Sequence, residues 1–441
     1  MISTRRPPRS SRSAACEPMY PAPPVSAITL MGPPRQPAGP NISSTMRVLH
    51  VIDGLDPRLG GVAAVVPRLA AAQAQLGATV SILSRHEPEA AERVARATEQ
   101  VPGLGLVGVL RPERPETRLG ALLWRADQSE RALIAQADAV HVHGLWGGLP
   151  WRCAVAARRL GVPYLIAPHG MLDPWSLAQS KWRKRAALAL GWRTVLRRAA
   201  AVHALTSAER AACVRVCPGV PAEIIPNGVF FQELEPMPRP GLFRLERPEL
   251  GPGPLVLFLS RLHHKKGLDL LLAAFTAVAA EHPSAQLVIA GPDGGAEPQA
   301  RREASAPGLR GRVTFVGALY GQQKLAALAD AAVFCLPSRQ EGFSVAITEA
   351  LAAGVPVVAT HACNYPEVEQ AGAGVLTDLD PAQIARGLLR VLGSSRDAAA
   401  MGAAGRRLVA ERFTWPVIAQ RSLEAYARAM HAHGAGRAGR S

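Results

Sequence analysis

Two carboxylates, a cluster of small residues and a helix stop stand in register at Glu341-Gly342-Phe343-Ser344-Val345-Ala346-Ile347-Thr348-Glu349-Ala350-Leu351-Ala352-Ala353-Gly354. Ser344 is a helix-opening residue; Gly354, followed by Pro356, ends the helix. The backbone N–H groups of Gly342, Phe343, Ser344 and Val345 are therefore expected at a helix N-terminus. Free amides and the helix dipole there favour an anion such as a diphosphate. Glu349, a turn and a half into the helix, is placed to accept from a pair of ribose hydroxyls, and Glu341, at the mouth, to touch a sugar. An amphipathic helix with two surface glutamates is the plain alternative.

Three further segments follow short apolar runs. Ser260-Arg261-Leu262-His263-His264-Lys265-Lys266-Gly267 offers a guanidinium fork at Arg261 and a mobile point charge at Lys266; a basic loop in solvent would look the same. Gly60 and Gly61, at the end of Asp53-Gly54-Leu55-Asp56-Pro57-Arg58-Leu59, leave backbone open to a ligand just before a helix. The order is neither the dinucleotide fingerprint nor a P-loop. In Ala167-Pro168-His169-Gly170-Met171-Leu172-Asp173-Pro174-Trp175, His169 falls just beyond a strand. Asp173 suits either an acceptor hydroxyl or an Asx turn before Pro174.

His141, His143, Gly144 and Trp146 end another strand, and His143 and Trp146 are candidates for an acceptor side. His141 and His143 share a strand face, as metal ligands would, but the sequence offers no third ligand beside them. Asp378-Leu379-Asp380, before Pro381, reads as a turn and N-cap. Cys213 and Cys217 lack a second pair at zinc-site spacing. No essential metal is expected. The stretch Lys181 to Arg198 interleaves Trp182, Leu190 and Trp192 with basic residues. It suits a peripheral contact with an anionic membrane, a lipid-diphosphate acceptor site, or a solvated helix face.

The elements that must hold these segments are legible as strands at 47–52, 79–83, 106–110, 139–143, 163–167, 201–205 and 223–225. A second set follows at 255–259, 286–290, 313–316, 332–336, 356–359 and 374–376. Most are continuous apolar runs alternating with helical patterns, the signature of parallel strands buried on both faces. The expectation is an α/β chain of two doubly wound sheets facing a cleft: a first domain over 46–232 and a second over 255–415. Prolines crowd 233–254, read as a linker. A last helix, 416–432, is expected to pack back on the first domain. Residues 1–45 and 433–441 read as disordered tails, with Met46 as an alternative start.

The chain of 441 residues is 48% hydrophobic and 19% charged, which sets it apart from disordered sequences. No apolar run reaches the ~18–20 residues of a membrane helix. Six scattered cysteines suit buried thiols in a reducing compartment. A net charge of +16 with no nucleic-acid motif points to anionic substrates or an anionic surface.

The paired glutamates, Leu336-Pro337-Ser338 before them and Val355-Pro356-Val357-Val358 after them resemble the signature of glycosyltransferase family 4, the group 1 transferases. The Arg261–Lys266, Gly60-Gly61, Pro168-His169-Gly170 and Pro226-Asn227-Gly228 segments agree, the last as a structural turn. Met171-Leu172-Asp173-Pro174-Trp175 resembles bacterial polysaccharide-assembly members. The resemblance covers about 46–430 and implies the GT-B fold and retaining transfer of a hexosyl group. The donor would be a UDP-, GDP- or ADP-sugar, and the acceptor a glycan or lipid-linked molecule, with no cofactor. It implies that Arg261 and Lys266 bind the diphosphate and that His169 and Glu341 attend the transferred sugar. A cytoplasmic enzyme, peripheral on the inner face of the plasma membrane, fits that class. One departure is Gly291-Pro292-Asp293-Gly294-Gly295, longer than the family's Gly-Asp-Gly turn. A sugar-nucleotide epimerase of the same fold and a non-catalytic sugar-nucleotide-binding protein are the rival readings.

Overall fold

The computed structural model describes residues 46–111 and 126–438; the expected tail over 1–45 lies outside them. Among the described residues thirteen strands form, in the order read from the sequence. The first seven are β1 (Arg47–Ile52), β2 (Thr79–Leu83), β3 (Gly108–Leu110), β4 (Ala139–His143), β5 (Tyr164–Ala167), β6 (Ala201–Ala204) and β7 (Ala222–Ile224). The other six are β8 (Leu255–Leu259), β9 (Gln286–Ala290), β10 (Val313–Gly317), β11 (Val333–Leu336), β12 (Val357–Thr360) and β13 (Gly374–Thr377). They make a seven-stranded sheet, β3-β2-β1-β4-β5-β6-β7, and a six-stranded sheet, β10-β9-β8-β11-β12-β13. Both sheets are parallel throughout.

Strand order reverses between β1 and β4 in the first sheet and between β8 and β11 in the second. At such a switch point the loops leaving two neighbouring strands part in opposite directions and leave a crevice. The segments singled out in the sequence follow β1, β4, β5, β8 and β11, so they gather at or beside these crevices.

The chain crosses between the sheets twice, side by side. Val229 donates to the carbonyl of Phe413 (2.9 Å), and Trp415 donates to that of Val229 (3.0 Å). Gly228 is confined by this crossing: a Cβ there would lie 2.8 Å from the Trp415 nitrogen. The second crossing leads into the helix Trp415–Ala438, which extends past the expected end at 432. Trp415, Ile418, Ala419, Leu423 and Tyr426 are buried in one core with Val66, Leu69 and Ala70 of helix Gly61–Gln75. Each large apolar side chain so buried stabilises by about 1.5–3 kcal/mol.

Residues 233–254 join the two sheets. They carry short helical turns at Leu242–Leu245 and Pro248–Leu250. Leu234, Phe243 and Leu250 are buried in the core of the second sheet. The carboxylate of Asp330 accepts from the Gly241 and Arg244 nitrogens, fixing the segment there. Prolines set its turns, and the interspersed apolar residues decide where it packs.

Candidate active site

On the second-sheet side, Arg261 leaves β8 exposed, with no ion-pair partner among the described residues. Its aliphatic stem runs close over Gly294, where an added Cβ would meet it at 3.0 Å. The longer 291–295 loop is zipped onto this segment: Leu262 donates to the Pro292 carbonyl, and Gly294 donates to that of Leu262. Asp293 accepts from the Gly295 and Glu297 nitrogens, which holds its carboxyl below the usual range.

Lys266 bonds Glu341 Oε1 at 2.6 Å, and Ser338 Oγ donates to the same oxygen at 2.5 Å. Glu341 is only 6% exposed, so it sits in the crevice wall rather than free at the mouth. Gly267, at φ +69°, permits the approach of these strands' ends, since a Cβ would fall 1.9 Å from the Pro337 carbonyl oxygen. Arg339 fastens the two loops with a forked bond to Asp269 (2.8 and 2.6 Å).

Helix Val345–Ala352 starts where the sequence places it, with Ser344 accepting from the Ile347 nitrogen at 3.4 Å. Phe343 anchors the loop against Tyr365 and Phe413. The N–H groups of Gly342, Phe343, Ser344 and Val345 find no acceptor among the described residues. Glu349 is half-buried and paired through Oε1 with Lys324 at 2.7 Å. Sequence reasoning missed Lys324, because nothing local ties helix Gly321–Asp330 to Glu349.

The opposing wall comes from the first sheet. Gly60 caps helix Gly61–Gln75 at φ +108°, and a Cβ on Gly60 or Gly61 would meet nothing within 4 Å. His169 adopts φ +52°, a left-handed conformation that costs energy for a residue with a side chain. The following turn is held from below by Glu209, buried, which accepts from the Gly170 nitrogen (2.6 Å) and the Leu205 nitrogen (2.8 Å). Burial pushes this carboxyl up while those two bonds pull it down. Gly170 faces Gly342 across the crevice, with a Cβ on Gly170 only 3.7 Å from the Gly342 Cα. The ammonium of Lys265 lies 5.1 Å from the Trp175 ring centre. Thus the His169 and Glu341 loops, 172 positions apart, form two lips of one site.

Of the three candidates for an acceptor side, Asp173 takes its Asx-turn alternative, and His143 and the Trp146 indole N–H are buried. His143 is 2% exposed, and its Nδ1 meets His169 Nε2 at 3.0 Å. Trp146 turns its ring against Trp192 and leaves its indole N–H buried without a partner among the described residues. Asp173 accepts from the Trp175 nitrogen as the cap of helix Pro174–Ala178, the Asx-turn alternative.

Beneath the first-sheet wall lies a feature only half visible in the sequence. His50 and His141 are buried register partners on β1 and β4, His143 lies two residues on from His141, and His203 is buried on β6, across β5 from β4. His50, His141 and His143 bring nitrogen atoms within 4.8 Å of one another, so β1 supplies a third histidine beside the pair on β4. All six of those nitrogens already have partners, which are His143, Gln73, His203, Tyr426, His169 and His50. Burial lowers the pKa of His50 and His203 to about 4, and those of His141 and His143 well below the ordinary value. Elsewhere, Asp380 caps helix Pro381–Leu392 through the Ala382 nitrogen, and the Cys217 thiol donates to the Cys213 carbonyl.

Two parallel doubly wound sheets with their switch points turned to one crevice define the GT-B architecture. The Anabaena protein HepE, solved in complex with UDP and glucose, shares it at a TM-score of 0.67, with 20% identity over 87% of this chain and 99% of that one. Residues 60–228 match the family model "Glycosyl transferase 4-like domain", and residues 245–408 match "Glycosyl transferases group 1". The chain belongs to the group 1 glycosyltransferases. D-inositol 3-phosphate glycosyltransferase of Streptomyces scabiei is 32% identical over 316 residues, 67% of this chain and 69% of that protein. The Mycobacterium tuberculosis GDP-mannose-dependent alpha-(1-6)-phosphatidylinositol monomannoside mannosyltransferase is 34% identical over 212 residues, 46% of this chain and 54% of that protein. The chain thus spans about half the length of that mannosyltransferase.

Proposed function

We propose that this protein is a retaining glycosyltransferase that moves a hexosyl group from a nucleotide-diphosphate sugar to a glycan or lipid-linked acceptor in cell-surface polysaccharide synthesis. The observation that carries this reading is the seat at the β8–β11 switch point. There a guanidinium and four amides without partners among the described residues, with the Lys266 ammonium, line one crevice facing the His169–Gly170 loop. That seat fits a pyrophosphate.

In the reaction the bond from the anomeric carbon to the diphosphate oxygen breaks, and its electron pair leaves with the diphosphate. Arg261, Lys266 and the helix amides stabilise that charge. The acceptor hydroxyl bonds the anomeric carbon on the same face, and its proton passes to the departing phosphate oxygen. Ser338 and Lys266 both use Oε1 of Glu341, which leaves Oε2 to accept from a sugar hydroxyl. Lys324 likewise uses one oxygen of Glu349, leaving the other for the ribose.

Thermal unfolding with UDP-, GDP- and ADP-sugars tests the donor. A ligand at ~100 times its Kd adds about 2.7 kcal/mol, a rise of roughly 5–10 °C for domains of this size. Turnover of that donor to a free nucleoside diphosphate and a glycosylated acceptor completes the test. No shift with any of the three, or conversion of the donor to an epimer, overturns the reading.

The same proposal places the enzyme on the cytoplasmic face of a membrane. Among the described residues no helix is long and apolar enough to cross one. Trp182 and Leu190 are 77% and 84% exposed amid the exposed cations Lys181, Arg183, Arg185 and Arg193. That composition suits an anionic lipid surface. Vesicles containing phosphatidylglycerol are expected to bind the protein and pure phosphatidylcholine vesicles not to. Trp182→Ala with Leu190→Ala lowers that binding by about tenfold or more, given ~1.5–3 kcal/mol per buried apolar side chain.

A further inference from the structure

The buried histidines have a direction, and one carbonyl sets it. A peptide carbonyl only accepts, so His203, whose Nε2 meets the Ile225 oxygen at 2.5 Å, carries its proton on Nε2 and is bare at Nδ1. His141 Nε2, 3.1 Å from that bare nitrogen, must donate. His141 Nδ1 is then bare and takes the hydroxyl proton of Tyr426 at 2.7 Å. The Tyr426 oxygen accepts in turn from Gln73 Nε2 at 3.0 Å, and the other amide proton goes to Ser422 at 2.7 Å. This turns Gln73 Oε1 towards His50, whose Nε2 donates at 2.7 Å. His50 Nδ1 accepts from His143 Nε2 (2.8 Å), and His143 Nδ1 accepts from His169 Nε2 (3.0 Å). Only His169 Nδ1, among the ring nitrogens of these five residues, is left without a partner among the described residues.

The opposite direction fails. Reversing the whole chain sets a bare His203 nitrogen against the Ile225 oxygen, lone pair to lone pair. Reversing only the half that ends at Gln73 sets Gln73 Oε1 against a Tyr426 oxygen whose proton is committed to His141. Each failure leaves buried polar atoms unpaired, at a cost of about 1–3 kcal/mol.

We propose that Gln73 and Tyr426 are positioning residues for His169: the chain holds that imidazole neutral with its proton on Nε2, so that Nδ1 meets the donor as a hydrogen-bond acceptor for a hexose hydroxyl. The terminal helix is thereby part of the site, since it supplies Tyr426 and Ser422. This use of His169 rests on the transferase reading above; the tautomer does not.

Long-range proton–nitrogen spectra of the full chain with 15N-labelled histidine read the tautomer directly, with His169→Asn assigning the signal. All five rings are expected as the Nε2–H form. Tyr426→Phe frees the Gln73 half to reverse. His169 then shows mixed tautomers, and kcat/KM falls by about tenfold, the worth of one hydrogen bond, while binding of the nucleoside diphosphate alone is unchanged. A wild-type His169 protonated on Nδ1, a charged ring, or a Tyr426→Phe protein with an unchanged His169 signal overturns the inference. So does stoichiometric zinc in the purified protein, because His50 and His143 would have to release each other to bind it. Failure of the wild type to bind any nucleoside diphosphate sinks the transferase reading instead and leaves the tautomer result standing.

Discussion

Arg261→Ala is expected to lower kcat/KM by about 10²–10³-fold, the range for removing one donor aimed at developing charge, and to leave the melting temperature unchanged. The second half follows from the geometry. Arg261 is exposed and pairs with no carboxylate among the described residues, so its loss orphans nothing. Lys266→Ala is expected to lose activity to a similar degree but also to destabilise the fold. Glu341, 6% exposed, loses its 2.6 Å partner and keeps a buried carboxylate satisfied only by Ser338. Leaving such a group short of a partner costs about 1–3 kcal/mol. Turnover assays with melting curves on both variants separate the two roles. Equal stability loss in both, or activity retained in Arg261→Ala, would remove the diphosphate seat from the account.

How much of this was legible in the sequence depends on distance along the chain. The strands were, because parallel strands buried on both faces leave unbroken apolar runs such as Leu255-Val256-Leu257-Phe258-Leu259. The start of helix Val345–Ala352 was legible too, since its cap and its stop are local. The packing of the 233–254 segment was not legible, because proline dominates its composition while Phe243 and Leu250, which decide where it packs, are sparse. Lys324, Glu209 and His50 were missed for another reason: each meets its partner through the winding of the sheet or the packing of a separate helix. His50 was within reach. A doubly wound order puts β1 beside β4, and the register His50↔His141 then sets a third imidazole beside the pair on β4.

Those histidines also govern how the protein responds to acid. The folded pKa values of His50 and His203 are lowered to about 4, and those of His141 and His143 fall well below the ordinary value, in each case chiefly through burial. An unfolded histidine titrates near 6.5. Below that pH the unfolded chain binds protons that the folded chain refuses, so stability falls as pH falls, from about 6.5 down to about 4, and is flat above. Each ring contributes up to about 1.4 kcal/mol per pH unit in that window. His50 and His203 together therefore cost on the order of 3 kcal/mol at pH 5.5 relative to pH 8, and His141 and His143 act in the same direction, against the ~5–15 kcal/mol margin of a typical domain. The carboxylates whose pKa is lowered by partners, such as Asp138 beside Arg47 and Asp269 beside Arg339, lose their contribution only as pH falls below about 4, outside this window. Urea unfolding at pH 8, 6.5 and 5.5 should show a midpoint that collapses between the last two values. A midpoint unchanged down to pH 5.5 would mean that the rings take up protons while folded, which the one-way hydrogen-bonded chain between Ile225 and His169 does not allow.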